Sequence, residues 1–233
     1  MSTFDKEKIK KILEPIVSKT YEAQLTESDI SKKNTLDIFS ASIDSAIRGI
    51  PLEEWKEQEK QRQMQKTLQN QIGEIHQRIL GTLDGVTNLE TGSVIDLEGD
   101  GFIAEIKNKH NTTKGNHKVA VYDDLKSELV KREKGTIAYY VEILPKNGKS
   151  YDQEFTPSDN RTRTNRESDP YIRQIDGQSF YTKITGNENA LRELYLLIPE
   201  IINEIINEKY GKEQNVDDYI DESEFDLIYK KKL

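Results

Sequence analysis

The stretch SVIDLEGDGFIAEIK, Ser93 to Lys107, decides how the chain is read. Val94, Asp96 and Glu98 alternate with Ile95 and Leu97, and Ile103, Glu105 and Lys107 alternate with Phe102, Ala104 and Ile106. A period of two marks a strand with one apolar and one polar-bearing face. Asp100-Gly101 stands between the two runs as a two-residue hairpin signal. That turn sets Asp96 opposite Glu105, with Cβ atoms roughly 5 Å apart. Lys107 falls on the same face as Glu105, about 7 Å further along the strand. Two carboxylates and an ammonium converging at one spot can hold a divalent cation and position a water. The plainer alternative is an exposed Glu–Lys pair that contributes little. Acidic residues are disfavoured in strands, and uncompensated charge beside apolar neighbours is costly, so the pattern points to chemistry. Asp100 shares the parity of Asp96, but the turn would hold it at the tip. Glu98 reads as a solvated hairpin residue.

The bulk composition bounds what surrounds this hairpin. The chain has 233 residues, 34% hydrophobic and 33% charged, which suits one domain or a core with an appended lobe. No run approaches the ~18 apolar residues of a membrane span. The opening MSTFDKEKIKK has no apolar signal-peptide segment. The absence of cysteine excludes disulfides and thiolate metal sites, and a cytoplasmic location is the simplest expectation. A net charge of −8 argues against a chain that coats nucleic acid without specificity. The charge is unevenly placed, however. Between Ile106 and Tyr122 stand Lys107, Lys109, Lys114, Lys118, His110 and His117 with no acid. Arg161, Arg163, Arg166 and Arg173 form a second basic cluster, whereas acids gather in the tail VDDYIDESEFD. A locally positive cleft on an acidic body can still engage phosphates.

Helical patterns fill the first part of the chain. Ile9, Ile12, Leu13 and Ile16 form an apolar stripe that Pro15 and Thr20 disturb. Asn34 can cap a helix carrying Leu36, Phe39, Ile43 and Ile47, which Gly49 ends. Pro51 suits the first turn of a longer helix to about Leu80, with Met64, Leu68, Ile72, Ile75 and Ile79 as one buried face. Val86 to Glu90 is a weak candidate strand. After the hairpin, Lys118 to Lys131 reads as a helix with Val121, Leu125 and Leu129 on one side, and TIAYYVEIL, Thr136 to Leu144, as a central strand. Pro145 to Gly186 is polar, turn-rich and basic, and suggests an elaborated loop lobe. Leu191 to Ile206 is apolar almost all round, a buried or subunit-facing helix that Pro199 would kink. The tail after Gly211 is expected to be partly disordered, with Tyr219, Phe225 and Ile228 able to dock. The pattern divides the chain into a helical region, 1–85, a catalytic α/β core with recognition loops, 86–187, and a C-terminal helix with acidic tail, 188–233. Together they would form one globular unit.

Asp96, Glu105 and Lys107 match the PD-(D/E)xK nuclease motif, with Ile95 where the motif's proline often stands. Three further blocks narrow the match: NKHNTTKG (Asn108 to Gly115), IGEIHQ (Ile72 to Gln77) and RQIDGQSFY (Arg173 to Tyr181). Across roughly Thr35 to Ile206 the chain resembles the Type II restriction endonucleases that cut at GGNCC. The resemblance implies a restriction-endonuclease-like α/β core, a mixed central sheet flanked by helices, behind an N-terminal helical region. It implies hydrolysis of double-stranded DNA with Mg²⁺ at a short palindromic site, 5′-phosphate ends and a companion DNA methyltransferase. A palindrome calls for a two-fold homodimer in which each subunit cuts one strand.

In that frame Asp96, Glu105 and Lys107 are the expected catalytic set. Asp96, Glu105 and the Ile106 carbonyl would ligate Mg²⁺. The Lys107 ammonium would orient the attacking water and offset charge developing on the phosphorane. Glu74 is a possible accessory metal contact, or else an i,i+4 partner of Arg78. The amide, hydroxyl and lysine donors of NKHNTTKG suit phosphate contact, which marks Lys109, Asn111, Lys114 and, just beyond, Lys118 as DNA-binding candidates. Arg161, Arg163 and Arg166 are candidates to bind DNA and read guanine, with Asp159, Asn160 and Asn165 as possible cytosine or phosphate partners. His76, His110 and His117 are too scattered for a zinc site. The competing readings are a repair or junction-resolving nuclease of the same superfamily and a noncatalytic DNA-binding module of the same fold. The intact trio weighs against the latter.

Overall fold

A computed structural model describes residues 2–25, 36–89, 92–111, 115–159 and 161–229. The chain groups into two compact units, Glu14–Gly73 and Met1–Leu13 with Glu74–Leu233. Helix α1 (Lys6–Leu25) is capped by Asp5, whose carboxylate accepts from the Glu7 and Lys8 N–H groups. The Ile9, Ile12, Leu13 and Ile16 stripe is buried, and the helix runs on through Pro15 rather than being broken by it.

Helix α2 (Ile38–Arg48) starts at Asp37, which accepts from the N–H groups of Phe39 and Ser40, and closes at Gly49 with φ 65°. Asn34, the expected cap, lies outside the described residues. The side expected to be apolar faces solvent: Phe39, Ile43 and Ile47 are 78%, 61% and 79% exposed, while Ala41 and Ser45 are the buried positions. Helix α3 (Leu52–Leu80) also departs from the single buried face. Trp55 is buried near its start and Ile75, Ile79 and Leu80 at its end, but Met64, Leu68 and Ile72 are only partly covered. Pairs at i,i+3, Glu53–Lys56, Glu57–Lys60 and Glu59–Arg62, support the polar stretch between.

The larger unit is built on a six-stranded mixed sheet flanked by helices, the α/β architecture expected from the sequence. In spatial order the strands are β1 (Val86–Asn88), β2 (Leu97–Gly99), β3 (Phe102–Lys109), β4 (Ile137–Leu144), β8 (Ile172–Asp176) and β5 (Asp152–Glu154). Strands β3, β4 and β8 run parallel, and the flanking pairs are antiparallel. A parallel neighbour needs a crossover, which α4 (Gly115–Leu129) supplies between β3 and β4. Its Tyr122 and Leu125 pack with Ile95, Ile103, Ala138, Tyr140, Phe155 and Ile172 on one sheet face. Tyr140 and Phe155 stack there with ring centroids 4.6 Å apart. On the other face Phe180 meets Phe102 and Tyr139 edge-on.

The segment read as a loop lobe, Pro145 to Gly186, holds much more order. It contributes strands β5 and β8, the hairpin β6 (Ser158–Asp159) with β7 (Thr164–Asn165), and helix α5 (Gly177–Thr185). The Arg-Gln-Ile-Asp sequence of β8 conceals its burial because its polar side chains find partners. Asp176 ends that strand and caps α5, accepting from the Ser179 N–H. His76 sits against Tyr181 of α5, with Nδ1 2.9 Å from the phenol oxygen, and loss of hydration pushes its imidazole down to about 4. It is a packing residue.

Helix α6 (Ala190–Tyr210) buries Leu191, Leu194, Ile201, Ile205 and Ile206 and carries Pro199 within it. Among the described residues the tail carries a last helix, α7 (Glu222–Tyr229). Phe225 is buried beside Tyr195, and Arg192 pairs with Glu222 and Asp226, whereas Tyr219 remains exposed. Among the described residues no helix is long and apolar enough to cross a membrane.

Gly177 begins α5 against the backbone of β4, where a Cβ would stand 2.5 Å from the Ile143 carbonyl oxygen. Alanine favours a helix by up to about 1 kcal/mol over glycine, but backbone cannot yield as a flexible side chain does. Gly177→Ala is therefore expected to destabilise by about 1–3 kcal/mol in urea denaturation. Unchanged or increased stability would mean that α5 does not need this close seat.

Candidate active site

Gly101, with φ 71°, and Asp100 form the turn joining β2 to β3. The ladder pairs Leu97 with Ala104, Glu98 with Ile103 and Gly99 with Phe102. One residue further, Asp96 comes against Glu105. The regular strand is shorter than the sequence suggests, because residues 94–96 bend. Asp96 nevertheless stays in place: its N–H donates to the Ala104 carbonyl at 3.0 Å, and its Oδ2 accepts from the Ile106 N–H at 2.7 Å. Lys107 Nζ donates to Glu105 Oε1 at 2.5 Å. The structure thus brings Asp96, Glu105 and Lys107 together toward the carboxyl end of a parallel strand, where open α/β sheets bind ligands. Asp100 is exposed in the turn, and Glu98 pairs with Arg132 rather than facing solvent alone.

Burial pushes the Glu105 carboxyl up to about 7, the Asp96 charge adds to the rise, and Lys107 opposes it. Burial likewise raises Asp96, against the pull of the Ile106 N–H and Lys107, and the charge of Glu74 contributes to that rise. Glu74 is itself exposed. Two half-buried carboxylates facing each other form a repulsive pair that a cation would relieve. The donors are hard oxygens, which fits Mg²⁺. Among the described residues no group of three or more His, Asp or Glu side chains gathers as a metal site. A cation on this pair would therefore keep several waters, as Mg²⁺ commonly does.

A second polar cluster adjoins the first, and sequence reading missed it. Lys107 is in register with Glu142 of β4, and Glu105 with Tyr140. Glu142 is 2% exposed. Its Oε1 accepts from Lys118 Nζ at 2.6 Å, and its Oε2 from Gln174 Nε2 at 2.8 Å and from the Tyr151 hydroxyl. The Tyr151 N–H donates to the fully buried Asp176 at 2.8 Å. Burial, then the Glu142 carboxylate, raise the Tyr151 phenol far above its ordinary value. The available signal was a carboxylate inside TIAYYVEIL, since a buried charge demands partners.

The remaining candidates fall into two groups. Lys109 and Asn111 are exposed at the end of β3, and Lys114 lies outside the described residues. Arg161 and Arg163 are exposed on the β6–β7 turn, with Arg163 held at φ 58°. Other members of that run are committed inward. Arg166 pairs with Asp123 at 2.7 Å and Asp159 at 3.2 Å, and Asp159 also accepts from the Arg161 N–H. Asn165 is exposed, and Asn160 lies outside the described residues. Lys118 gives one hydrogen bond to Glu142 and stays partly exposed.

The raised Glu105 carboxyl has a consequence for stability. Between its ordinary 4.5 and about 7 the folded chain binds this proton more tightly than the unfolded chain. Stability is therefore expected to fall as pH rises through that window and to stay low above it. In EDTA at pH 8, Glu105→Gln should be more stable than the parent by on the order of 2 kcal/mol, and the gap should close toward pH 4.5. Thermal melts across the range measure this. A variant that loses stability at pH 8 contradicts the strained-pair description.

The Eco47II restriction endonuclease family model matches residues 1–207. The Type II restriction enzyme Eco47II of Escherichia coli is 41% identical over 166 residues, covering 69% of this chain and 70% of that enzyme. The Type II restriction enzyme Sau96I of Staphylococcus aureus is 33% identical over 199 residues, covering 82% of this chain and 76% of that enzyme. This chain, built on a mixed α/β sheet and matched by the family model over residues 1–207, belongs to the Eco47II restriction endonuclease family.

Proposed function

We propose that this restriction endonuclease is a cytoplasmic Type II site-specific deoxyribonuclease that hydrolyses double-stranded DNA with Mg²⁺ at a GGNCC-like palindrome. It works as a homodimer and alongside a DNA methyltransferase that protects the same site. The observation carrying this reading is the apposition of Asp96 and Glu105 with Lys107 on one hairpin face.

Asp96, Glu105 and the Ile106 carbonyl would hold Mg²⁺, with Glu74 as an accessory contact. When bound, the cation polarises phosphate and acidifies water. The protein residues supply the rest. Lys107 holds the attacking water in line through its N–H groups and stabilises the negative charge that builds on the phosphate oxygens. The Ile106 N–H fixes the Asp96 carboxylate, so its orientation costs nothing at the moment of reaction. Lys109, Asn111, Lys114 and Lys118 would contact phosphates, and Arg161 and Arg163 would read guanines from the projecting β6–β7 turn. Arg166 serves the same surface as the strut that ties this hairpin to Asp123 of α4.

Replacing Asp96, Glu105 or Lys107 by alanine is expected to lower cleavage by at least about a thousandfold, with cognate DNA binding in Ca²⁺ retained by the lysine variant. Near-normal cutting by Glu105→Ala would refute the site. Cleavage should require Mg²⁺ or Mn²⁺ and stop in EDTA; full activity under exhaustive chelation excludes this chemistry.

The recognition roles separate by a different readout. Arg161→Ala or Arg163→Ala should cost roughly 1–3 kcal/mol on the cognate duplex and much less on a scrambled one. Lys109→Ala should weaken both and flatten the salt dependence. Equal losses on both duplexes for the two arginines would make their loop a backbone clamp.

A further inference from the structure

Glu142 is nearly inaccessible, and it lies beside the proposed catalytic residues on the sheet face that also carries the core of Tyr122, Tyr140 and Phe155. A buried ion pair is a weak device for stability, because apolar side chains of similar volume often do as well. Its three donors come from three places: Lys118 from α4, Gln174 from β8 and Tyr151 from the segment leading into β5. They fix the carboxylate and leave it no freedom. Lys118, by contrast, keeps 24% of its side chain exposed, and its ammonium stands 5.2 Å above the Tyr140 ring. Tyr140 is the register neighbour of Glu105, and Glu142 that of Lys107. The Lys118 ammonium therefore sits one strand over from the Glu105–Lys107 pair, on the same sheet face. One of its three N–H groups is spent on Glu142, which leaves others for a ligand.

We infer that Glu142 is a positioning residue that holds Lys118 over the sheet as a second cation, beside Lys107, for the oxygens of the phosphate that is cut. The inference rests on the nuclease reading of Asp96, Glu105 and Lys107. Without the buried carboxylate, a lysine on a four-carbon stem has many conformers, and ordering it during reaction would cost rate. The carboxylate orders it beforehand.

The test is a double-mutant cycle on single-turnover cleavage of a GGNCC-containing duplex in Mg²⁺, with duplex affinity measured separately in Ca²⁺. Lys118→Met removes the ammonium but keeps the stem over Tyr140. Glu142→Gln keeps the shape and removes the charge. Each is expected to slow cleavage on the order of a hundredfold, with affinity in Ca²⁺ changed by only a few-fold. The double variant should be no slower than Lys118→Met alone, which a merely structural Glu142 would not produce. Independent, multiplying losses would overturn the positioning role, and so would full-speed cleavage by Lys118→Met. If Glu142→Gln does not fold, Lys118→Met alone still decides whether the second cation acts. Glu105→Ala runs in parallel. Should it cut normally, the nuclease site itself is misassigned and this inference falls with it; should it be inactive while Lys118→Met is not, only this inference falls.

Discussion

The pairing of β2 with β3 is the constraint on which the rest depends. Side chains alternate across a sheet, so a slip of one residue would turn Asp96 away from Glu105. Several independent features hold the register. Gly101 supplies the positive φ of the turn, and Gly99 leaves room for the Phe102 ring, which a Cβ there would meet at 2.2 Å. Leu97 and Ile103 are fully buried, so neither can exchange faces without exposing apolar surface. The Asp96 carboxylate then takes the Ile106 N–H, which converts a strand ending into a fixed ligand position.

The same strand enforces a second alignment. Parallel pairing with β4 puts Tyr140 beside Glu105 and Glu142 beside Lys107. Charges of both signs are thereby packed into a small part of one sheet face, where each is costly alone. The Asp96–Glu105 pair is left repulsive, while Glu142 is fully satisfied. That contrast is informative: a pair that Lys107 relieves only in part invites a cation, whereas a saturated carboxylate organises its neighbours. The arrangement trades stability for a site, as binding sites commonly do.

The hairpin and the meeting of its charged side chains were legible because parity alone determines which side chains share a strand face. Asp96, Glu105 and Lys107 needed no tertiary information beyond a two-residue turn. Strand β4 was equally legible, being apolar and β-rich. Strand β8 and helix α5 were not, since Arg173, Gln174 and Asp176 look like loop residues until Asp152 and Glu142 are seen to accept from the first two and the Tyr151 N–H to donate to the third. Periodicity found α2 and its end at Gly49, but not what its stripe meets: Phe39, Ile43 and Ile47 recur at helical spacing and face solvent. A stripe shows that a helix is amphipathic, not what its apolar side meets. The arginine run was read as one feature, yet it divides by partner: Arg166 is locked to Asp123 and Asp159, while Arg161 and Arg163 project.

The central claim is that Asp96 and Glu105 jointly bind the cation that cleavage requires. Diffraction from crystals of the protein with a cognate duplex and Mn²⁺, recorded for anomalous signal, locates the metal directly. The account predicts a peak within about 2–2.3 Å of one oxygen from each carboxylate, lost in Asp96→Asn and in Glu105→Gln. A fully occupied peak touching neither side chain, or one that persists unchanged in both variants, would contradict it.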